Sequence, residues 1–400
     1  MRASTSLVCI VVNLAALAVS LAAFVAGASG VARMTSGAPL ARRAAQHASA
    51  RARTGEEIFR ATCTGCHGAD GAGAPRSTVG FTNRLPDFTD CNFATREARA
   101  DWTAIVRDGG PVRGLSRIMP AFRDLLTPEE IQRVISYVRT FCRERSWPRG
   151  EFNLPLAQTV EKAFPEDEVV LTSAIEMKGP GSVSNHLIFE KRFGARDQIE
   201  VDVPFGFIGR SGHSWSGGLG DVSIVPKHVF FSSLASGTIV SGLAGVILPT
   251  GDRTTGLGSG TTAFEASVLA AQLLPARSYL QLQGKVELPT DRSRTNQSVF
   301  WGAALGTTVP FSPITRIWSP MLEVTGSRDL IAGAPVAWDL VPQFQISLSA
   351  LQHVRAGVGV DVPLTEKETR HTQLLFYMLW DTFDGPLFSG WKGWCPGCEH

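Results

Sequence analysis

The sequence is poor in charge and has almost no excess of either sign. Only 18% of its 400 residues are charged, against about 25% in an average soluble domain. A net charge of +2, from 38 basic and 36 acidic residues, argues against a protein that binds nucleic acid through bulk positive charge. With 44% hydrophobic residues and 40 glycines, the composition excludes a disordered chain and leaves room for a β-rich or membrane-facing part.

The patterns of common enzyme classes are also missing. The sequence has no defensible Ser-His-Asp arrangement, no phosphate-binding or dinucleotide-binding glycine pattern in its proper context, and no pair of catalytic carboxylates. We therefore expect a protein that is not itself an enzyme. A role as a subunit of an oxidoreductase system stays open.

The first 28 residues are predicted to form a secretory signal. Arg2 precedes an apolar stretch from Leu7 to Val25, and small residues follow it. The alternative is an uncleaved anchor, because the stretch is near the length that crosses a bilayer. Both readings export the rest of the chain. Residues 29–54 are rich in Ala, Ser and Arg without an apolar period, which predicts a linker.

Residues 55–146 are predicted to form a haem-binding domain. Cys63, Cys66 and His67 form the Cys-x-x-Cys-His signature of covalent haem attachment. Two thiols one helical turn apart can each bond a haem vinyl group, and the adjacent histidine is then held under the iron. The alternatives are a thioredoxin-like pair, which needs a βαβ context, and half of a zinc site, which needs two further ligands at regular spacing. Neither feature is visible in the sequence.

Met119 is the predicted second axial ligand. It follows the glycine-rich stretch from Gly109 to Gly114 and lies on a proline-held loop before a helix, where its thioether can serve a haem iron. His47, on the linker, is the weaker candidate. A capped helix start follows at Thr127 to Glu130. The apolar residues of this helix recur every three or four positions, at Ile131, Val134, Ile135, Val138 and Phe141.

Residues 55–142 resemble a class I c-type cytochrome in three features: the attachment motif, the Met119 loop and the following Thr-Pro-Glu-Glu helix. The resemblance covers a little over a fifth of the chain. It implies a small all-α fold with one covalent haem c, with His67 as the proximal ligand and Met119 as the distal ligand.

Four further cysteines lie outside the attachment motif. Cys91 and Cys142 depart from the minimal cytochrome pattern; in an oxidising compartment we expect either a disulfide between them or two separate buried thiols. Cys395 and Cys398 lie in a predicted tail, residues 382–400, and are not a haem motif because Glu399 precedes His400. A local disulfide is the favoured interpretation of the tail, with a metal or thiol-redox role as the alternative.

Alternation of apolar and polar residues replaces the helical period in the second half. Residues 147–182 are predicted to be a connector with one candidate strand at 169–176, and residues 183–381 an antiparallel β-barrel of ten to twelve strands. The fold class is therefore a small all-α domain followed by a barrel. The clearest strands lie at 198–207, 280–288, 339–349 and 354–364, with weaker ones at 183–193, 219–231, 237–249, 261–272, 298–309, 314–326 and 370–380.

Strands of about ten residues with one apolar and one polar face are typical of a transmembrane barrel. A soluble sandwich or lipocalin-like barrel alternates as well, with its apolar side inward, and alternation alone cannot separate the two. Three features favour the outer membrane: the predicted export, the length of the strands, and a predicted range of ten to twelve strands that includes even numbers. Aromatic residues near strand ends are candidates for interfacial girdles: Trp215, Phe230, Phe231, Trp301, Trp318, Trp338 and Trp380.

Two short segments of the barrel also carry a resemblance. Residues 218–222, Gly-Leu-Gly-Asp-Val, and 248–252, Leu-Pro-Thr-Gly-Asp, are similar to the outer-membrane barrel family linked to phenol-degradation pathways. The resemblance implies a barrel in the outer membrane and no particular substrate.

These features predict a haem c electron-transfer protein with its cytochrome domain in the periplasm and its barrel in a bacterial outer membrane. Outer-membrane lipid is one expected partner, an unknown redox protein is another, and nucleic acid is not expected. The alternatives are an outer-membrane channel with a cytochrome as redox or docking module, and the cytochrome subunit of a periplasmic dehydrogenase.

Overall fold

A computed structural model describes residues 52–176, 178, 181–210, 214–311 and 316–388. The predicted signal peptide, nearly all of the linker with His47, and the tail cysteines Cys395 and Cys398 lie outside the described residues. Within these residues a group of helices is followed by a single antiparallel sheet, which confirms the predicted fold class.

Six α-helices form the front of the described chain: α1 (Gly55–Thr62), α2 (Thr64–His67), α3 (Arg76–Val79), α4 (Cys91–Ala94), α5 (Arg99–Asp108) and α6 (Pro128–Val138). Capping boxes from Thr54 and Thr127 start α1 and α6. The facing sides of these two helices bury Ile58, Phe59 and Ile135, each worth about 1.5–3 kcal/mol when fully buried. In the described part of the chain, no helix has the length and apolar content needed to cross a bilayer.

A disulfide joins Cys91, at the start of α4, to Cys142, beyond the end of α6. It is one of the two arrangements expected for this pair. The bridge is buried beside Ala94 and Trp147 and spans a sequence separation of 51 residues. Closing a loop of this size stabilises a fold by about 2–4 kcal/mol. Because each of these cysteines is bonded to the other, neither can complete a zinc site with the attachment cysteines.

Twelve long strands of the described residues close into an antiparallel barrel, and the pairing of the first strand with the last completes the ring. Two short strands, β4 and β10, lie beside the ring and are not part of it. The ring is continuous without them, because β3 pairs directly with β5 and β9 pairs directly with β11. The strands are β1 (Glu168–Glu176), β2 (Ser182–Phe193), β3 (Asp197–Arg210), β4 (Ser214–Leu219), β5 (Val222–Ser233), β6 (Thr238–Leu248), β7 (Ala263–Leu273), β8 (Ser278–Pro289), β9 (Ser298–Thr307), β10 (Val309–Phe311), β11 (Arg316–Asp329), β12 (Ala337–Ser347), β13 (Val354–Pro363) and β14 (Gln373–Asp381).

The barrel begins at Glu168, inside the segment predicted to be a connector (147–182), rather than at residue 183. β1 pairs with β14 on one side and with β2 on the other along almost its whole length. The candidate strand at 169–176 is therefore a full member of the wall. Its role depends on pairing with a strand at the far end of the sequence, which no local pattern reveals.

The outward side chains of the strands are mainly apolar, whereas the inward side chains include many polar ones together with an apolar cluster. Exposed on the outside are Leu187, Phe189, Ile199, Phe207, Phe264, Val268, Leu282, Leu305, Val358, Phe376 and Met378. Buried on the inside are Glu190, Gln198, Lys227, Gln281, Gln283, Glu323, Gln343 and Gln345. A soluble barrel needs the reverse order, because its apolar side chains must form the core. The observed order is the one that suits a barrel surrounded by lipid.

The two ends of the barrel differ in the length of their connections. At the end where β1 begins and β14 ends, β2 reaches β3 and β5 reaches β6 through the short turns 194–196 and 234–237. At the opposite end, β6 reaches β7 through residues 249–262, and β13 reaches β14 through residues 364–372. The helices precede β1, so the chain enters the barrel at the end with the short turns.

Candidate functional site

Cys63, Cys66 and His67 lie on one turn of backbone at the junction of α1 and α2. The amides of Cys66 and His67 both donate to the carbonyl oxygen of Cys63, at 3.2 and 2.9 Å. Both thiols are free and half-buried. Burial raises the pKa of the Cys63 thiol, so this group is neutral at physiological pH. The local fold thus places two thiols and one imidazole on the same short segment.

The ring of His67 lies in an aromatic environment. It stacks on Phe88 with the ring centroids 4.9 Å apart, and Phe88 in turn contacts Trp102 at 5.5 Å. Nδ1 of His67 and Nε1 of Trp102 are both buried and have no hydrogen-bond partner in the described residues. Burial also lowers the pKa of His67. Its imidazole is therefore in the neutral form that binds a metal.

Backbone hydrogen bonds attach the Met119 loop to the end of α5. Gly110 N–H donates to the Met119 carbonyl oxygen at 2.9 Å, and Phe122 N–H donates to Val106 at 3.1 Å. Gly109 adopts φ 85°, and a Cβ there would lie 3.0 Å from the Met119 oxygen, so the close approach favours glycine. Phe122 and Val106 pack in the same apolar cluster as Trp102. Met119 is thereby held beside that cluster, half-buried, and its role as distal ligand stays a prediction.

The residues present fit a covalent haem. Two free thiols are available for its vinyl groups and a neutral, half-buried imidazole for its iron. The aromatic and aliphatic cluster around Phe59, Phe88 and Trp102 suits its apolar faces. The unpartnered indole N–H of Trp102 is a donor for the acidic edge of such a group.

Part of the chain itself lies in the lumen of the barrel. Residues 152–166, here termed the lumen segment, follow a 3₁₀ turn at Gly150–Phe152 and precede β1. Its apolar side chains include Phe152, Val160 and Phe164, and they pack in one cluster with inward-facing residues of the wall. The wall members of this cluster are Val225, Val229, Ile239, Leu243, Leu269, Ala271, Tyr279, Ala304 and Met321.

Polar wall residues also hold the backbone of the lumen segment. Glu323, fully buried on β11, accepts hydrogen bonds from three consecutive amides, those of Gln158 (2.6 Å), Thr159 and Val160 (2.9 Å). The Thr159 hydroxyl donates to the same carboxylate. Three adjacent N–H groups aimed at one carboxylate form an anion-binding concavity, which compensates for the burial of Glu323.

Further contacts of this kind run along the lumen segment. The wall side chains of Gln345, Gln283 and Gln198 accept from the amides of Leu156, Glu161 and Glu166, at 3.0, 3.1 and 2.7 Å. Gln281 and Tyr377 donate to the carbonyl oxygens of Pro155 and Leu156. Several amides and carbonyls of an irregular segment are thus satisfied by side chains of the wall.

Arg96 connects the helical domain to the mouth of the barrel. It forms a buried ion pair with Asp167, the residue before β1, and its guanidinium lies 3.7 Å from the ring centroid of Phe383 beyond β14. Gly150 approaches so closely that a Cβ would lie 1.9 Å from the Arg96 carbonyl oxygen. Arg192 of β2 stacks over Trp147 at 4.7 Å. The domain is therefore docked against the barrel by buried contacts.

Sequence reasoning found the attachment residues Cys63, Cys66 and His67 but missed the lumen segment, Glu323 and Arg96. Apolar residues such as Phe152 and Phe164 were a signal that the segment before β1 is buried. They follow no helical or strand period, so the segment read as a connector. The partners of Glu323 in the lumen segment lie more than 160 positions away in the sequence.

Comparisons with known proteins bear on both parts. Residues 50–138 match the family model described as cytochrome c oxidase, cbb3-type, subunit III. Among solved structures, the chain is similar to an outer membrane channel from Pseudomonas putida F1, with 12% identity and a TM-score of 0.38 over 57% of this chain and 99% of that one. It is also similar to the KdgM porin, with 9% identity and a TM-score of 0.36 over 53% of this chain and 98% of that one.

A further similar structure is the NanC porin, with 7% identity and a TM-score of 0.37 over 53% of this chain and 97% of that one. No curated protein matches the chain. The family match covers less than a quarter of the sequence and none of the barrel. The closed form of the barrel follows from its strand pairing. The chain therefore joins a c-type cytochrome domain to a closed, twelve-stranded antiparallel barrel.

Proposed function

We propose that the chain is a haem c electron carrier that its own barrel anchors in a bacterial outer membrane. The proposal rests on one observation: the chain consists of two docked parts with different properties. The cytochrome domain holds the attachment residues, whereas the barrel presents an apolar outer surface and a lumen filled by its own chain. The second part suits anchorage, and the first suits transfer of single electrons.

The loop lengths support a periplasmic position of the cytochrome domain. Bacterial outer-membrane barrels have short periplasmic turns and longer loops on the outside. The cytochrome domain is docked at the end with the short turns, where β1 begins and β14 ends. In this orientation an electron-transfer partner reaches the domain from the periplasm.

The residues of the domain have separate roles in this proposal. Cys63 and Cys66 would hold the group, His67 would bind its metal, and Phe88 fixes the plane of the imidazole by stacking. A bound haem would supply an iron that changes charge by one electron. The apolar cluster that includes Trp102 would keep water from that iron.

The lumen segment distinguishes the proposed anchor from the alternative of a channel. A solute path through the barrel requires the lumen segment to leave, with loss of its hydrogen bonds to Glu323, Gln283 and Gln345. The channel alternative therefore needs a displaced lumen segment, whereas the anchor needs none.

Fractionation of cells that express the full chain with a haem-maturation system tests the proposal. We expect the protein in the outer-membrane fraction, with a gel mobility that changes on heating, as a closed barrel gives, and a haem stain that survives denaturation. A reversible one-electron titration of the purified protein should accompany the stain. Protein that stays in the soluble periplasm, or is colourless after maturation, would contradict the anchor or the carrier respectively.

The distal ligand can be tested separately. Met119→Ala should leave haem covalently attached but lower its midpoint potential, because a thioether ligand favours the reduced iron. Since axial ligation tunes haem potentials over about 0.8 V, we expect a shift on the order of 0.1 V. Redox titration and the near-infrared sulfur-to-iron band of the oxidised protein measure the change. Ile118→Ala, at the exposed neighbouring position, is the matched control; an unchanged potential and band in Met119→Ala would exclude this residue as the ligand.

A further inference from the structure

We infer that a pocket at the cytochrome end of the barrel binds a phosphate-type oxyanion, with the headgroup of an anionic phospholipid as the favoured source. The pocket is lined by Arg145, Trp147 and Arg149 from the segment after the disulfide, and by Phe152 and the β5–β6 turn with Ser232, Ser233 and Leu234. The choice of source rests on the proposed membrane placement, whereas the oxyanion chemistry does not.

The pocket has room for such a group. Its volume is about 190 Å³, far above the roughly 10–15 Å³ that a single water needs. Its walls offer two guanidinium groups and two hydroxyls together with the faces of Trp147 and Phe152. Arginine and hydroxyl donors around a small open cavity are the groups that bind phosphate oxygens.

Positive charge around the pocket is not balanced locally. Residues 139–149 contain four arginines and one glutamate. That glutamate, Glu144, accepts a hydrogen bond from the indole of Trp147 at 2.6 Å, and Glu151 is held by both terminal nitrogens of Arg139. Glu151 is thus paired with Arg139, whereas Glu144 keeps its charge because its partner is neutral. The other three arginines therefore face one uncompensated carboxylate, and the segment stays net positive.

Arg149 carries the strongest indication of a missing anion. Its Nη1 atom is buried and has no hydrogen-bond partner in the part of the chain that the structure describes. Burial and the positive charge of Arg139 lower the pKa of Arg149, although Glu151 acts in the opposite direction. Because Nη1 is closed to solvent, an oxyanion in the pocket would offset the charge of this partly buried guanidinium rather than bond that atom.

The position of the pocket favours a lipid source. A bulge between Val229 and Phe231 leaves both Phe230 and Phe231 exposed near the end of β5, at 64% and 48%. Leu234, which lines the pocket, is also exposed, at 43%. Aromatic residues at the end of a barrel strand lie at the level of the lipid headgroups. The pocket therefore opens beside the phosphates of the proposed inner leaflet.

The test uses the full chain with haem, in detergent and in nanodiscs. Inorganic phosphate is titrated against the detergent-solubilised protein by calorimetry. Native mass spectrometry then counts lipids retained from nanodiscs of phosphatidylcholine with and without phosphatidylglycerol. We expect phosphate binding that weakens with salt and a preferentially retained phosphatidylglycerol. Arg149→Gln should reduce both at least about tenfold, because it removes a charge-assisted donor.

Arg143→Gln is the matched control, since this exposed arginine lies in the same segment and does not line the pocket. If Arg149→Gln does not fold, Arg145→Gln is tested in its place, because Arg145 also lines the pocket and its side chain is exposed. Phosphate binding without lipid preference would keep the oxyanion site and reject the lipid source. Absence of both, or an equal loss in Arg143→Gln, would overturn the inference. Haem stain and heat-modifiable mobility, measured on the same samples, report failure of the proposed function independently.

Discussion

Simultaneous replacement of Cys63 and Cys66 by alanine is expected to give a protein that loses all haem stain on a denaturing gel. The two thiols are the free cysteines of the described residues, and they lie on the turn that also carries His67. Without them, any haem bound through the imidazole is held by coordination alone and dissociates when the domain unfolds. The expected effect is a complete loss, measured by in-gel peroxidase staining and by the pyridine haemochrome spectrum.

The natural control is the second cysteine pair. Cys91→Ala with Cys142→Ala removes a disulfide that lies outside the attachment turn, so the haem stain should persist. The same change should lower the free energy of unfolding of the domain by about 2–4 kcal/mol. A stain that survives in the first variant and disappears in the second would place the attachment elsewhere and end the haem assignment at Cys63 and Cys66.

Replacement of Glu323 by alanine is expected to turn a silent barrel into a conducting one. This carboxylate accepts from the amides of Gln158, Thr159 and Val160, and alanine leaves all three buried and unsatisfied. At about 1–3 kcal/mol for each unsatisfied group, the free energy that keeps the lumen segment in place falls by at least about 3 kcal/mol. Its time in the displaced state should rise by two orders of magnitude or more.

Planar-bilayer recording is the measurement for this change. We expect the wild-type protein to show almost no steps in current and Glu323→Ala to show frequent ones. Glu287→Ala, which removes a carboxylate of β8 that forms no hydrogen bond to the lumen segment in the described residues, is the matched control. A wild-type protein that conducts steadily would contradict a filled lumen in the membrane and favour the channel alternative.

The strands could be predicted from the sequence because each carries its own two-residue period. The runs predicted at 237–249 and 298–309 correspond to β6 and β9 within two residues at each end. Alternation alone could not give the facing of the wall, because it looks the same in a soluble and a membrane barrel; the prediction of a membrane barrel rested on export, strand length and strand number. The exposure of Phe264 and the burial of Glu323 decide the question, and both depend on three-dimensional packing.

The attachment site was predictable for a different reason. Cys63, Cys66 and His67 are adjacent in sequence, so their chemistry is local and a short motif describes it. The surroundings of His67 are not local, since Phe88 and Trp102 come from separate segments. The lumen segment is the extreme case: its hydrogen-bond partners lie on strands far along the sequence, and its own residues show no period.

Both ends of the lumen segment lie at the same mouth of the barrel. The helical domain precedes the segment and contacts Asp167, and β1 begins at the following residue. The segment reaches Glu323 inside the ring and returns to Gln198 near the start of β3, so it lies in the lumen as a loop. Neither the domain nor a chain end has to pass through the ring for this loop to enter or leave, so the zipping of β1 to β14 and the filling of the lumen are separable events.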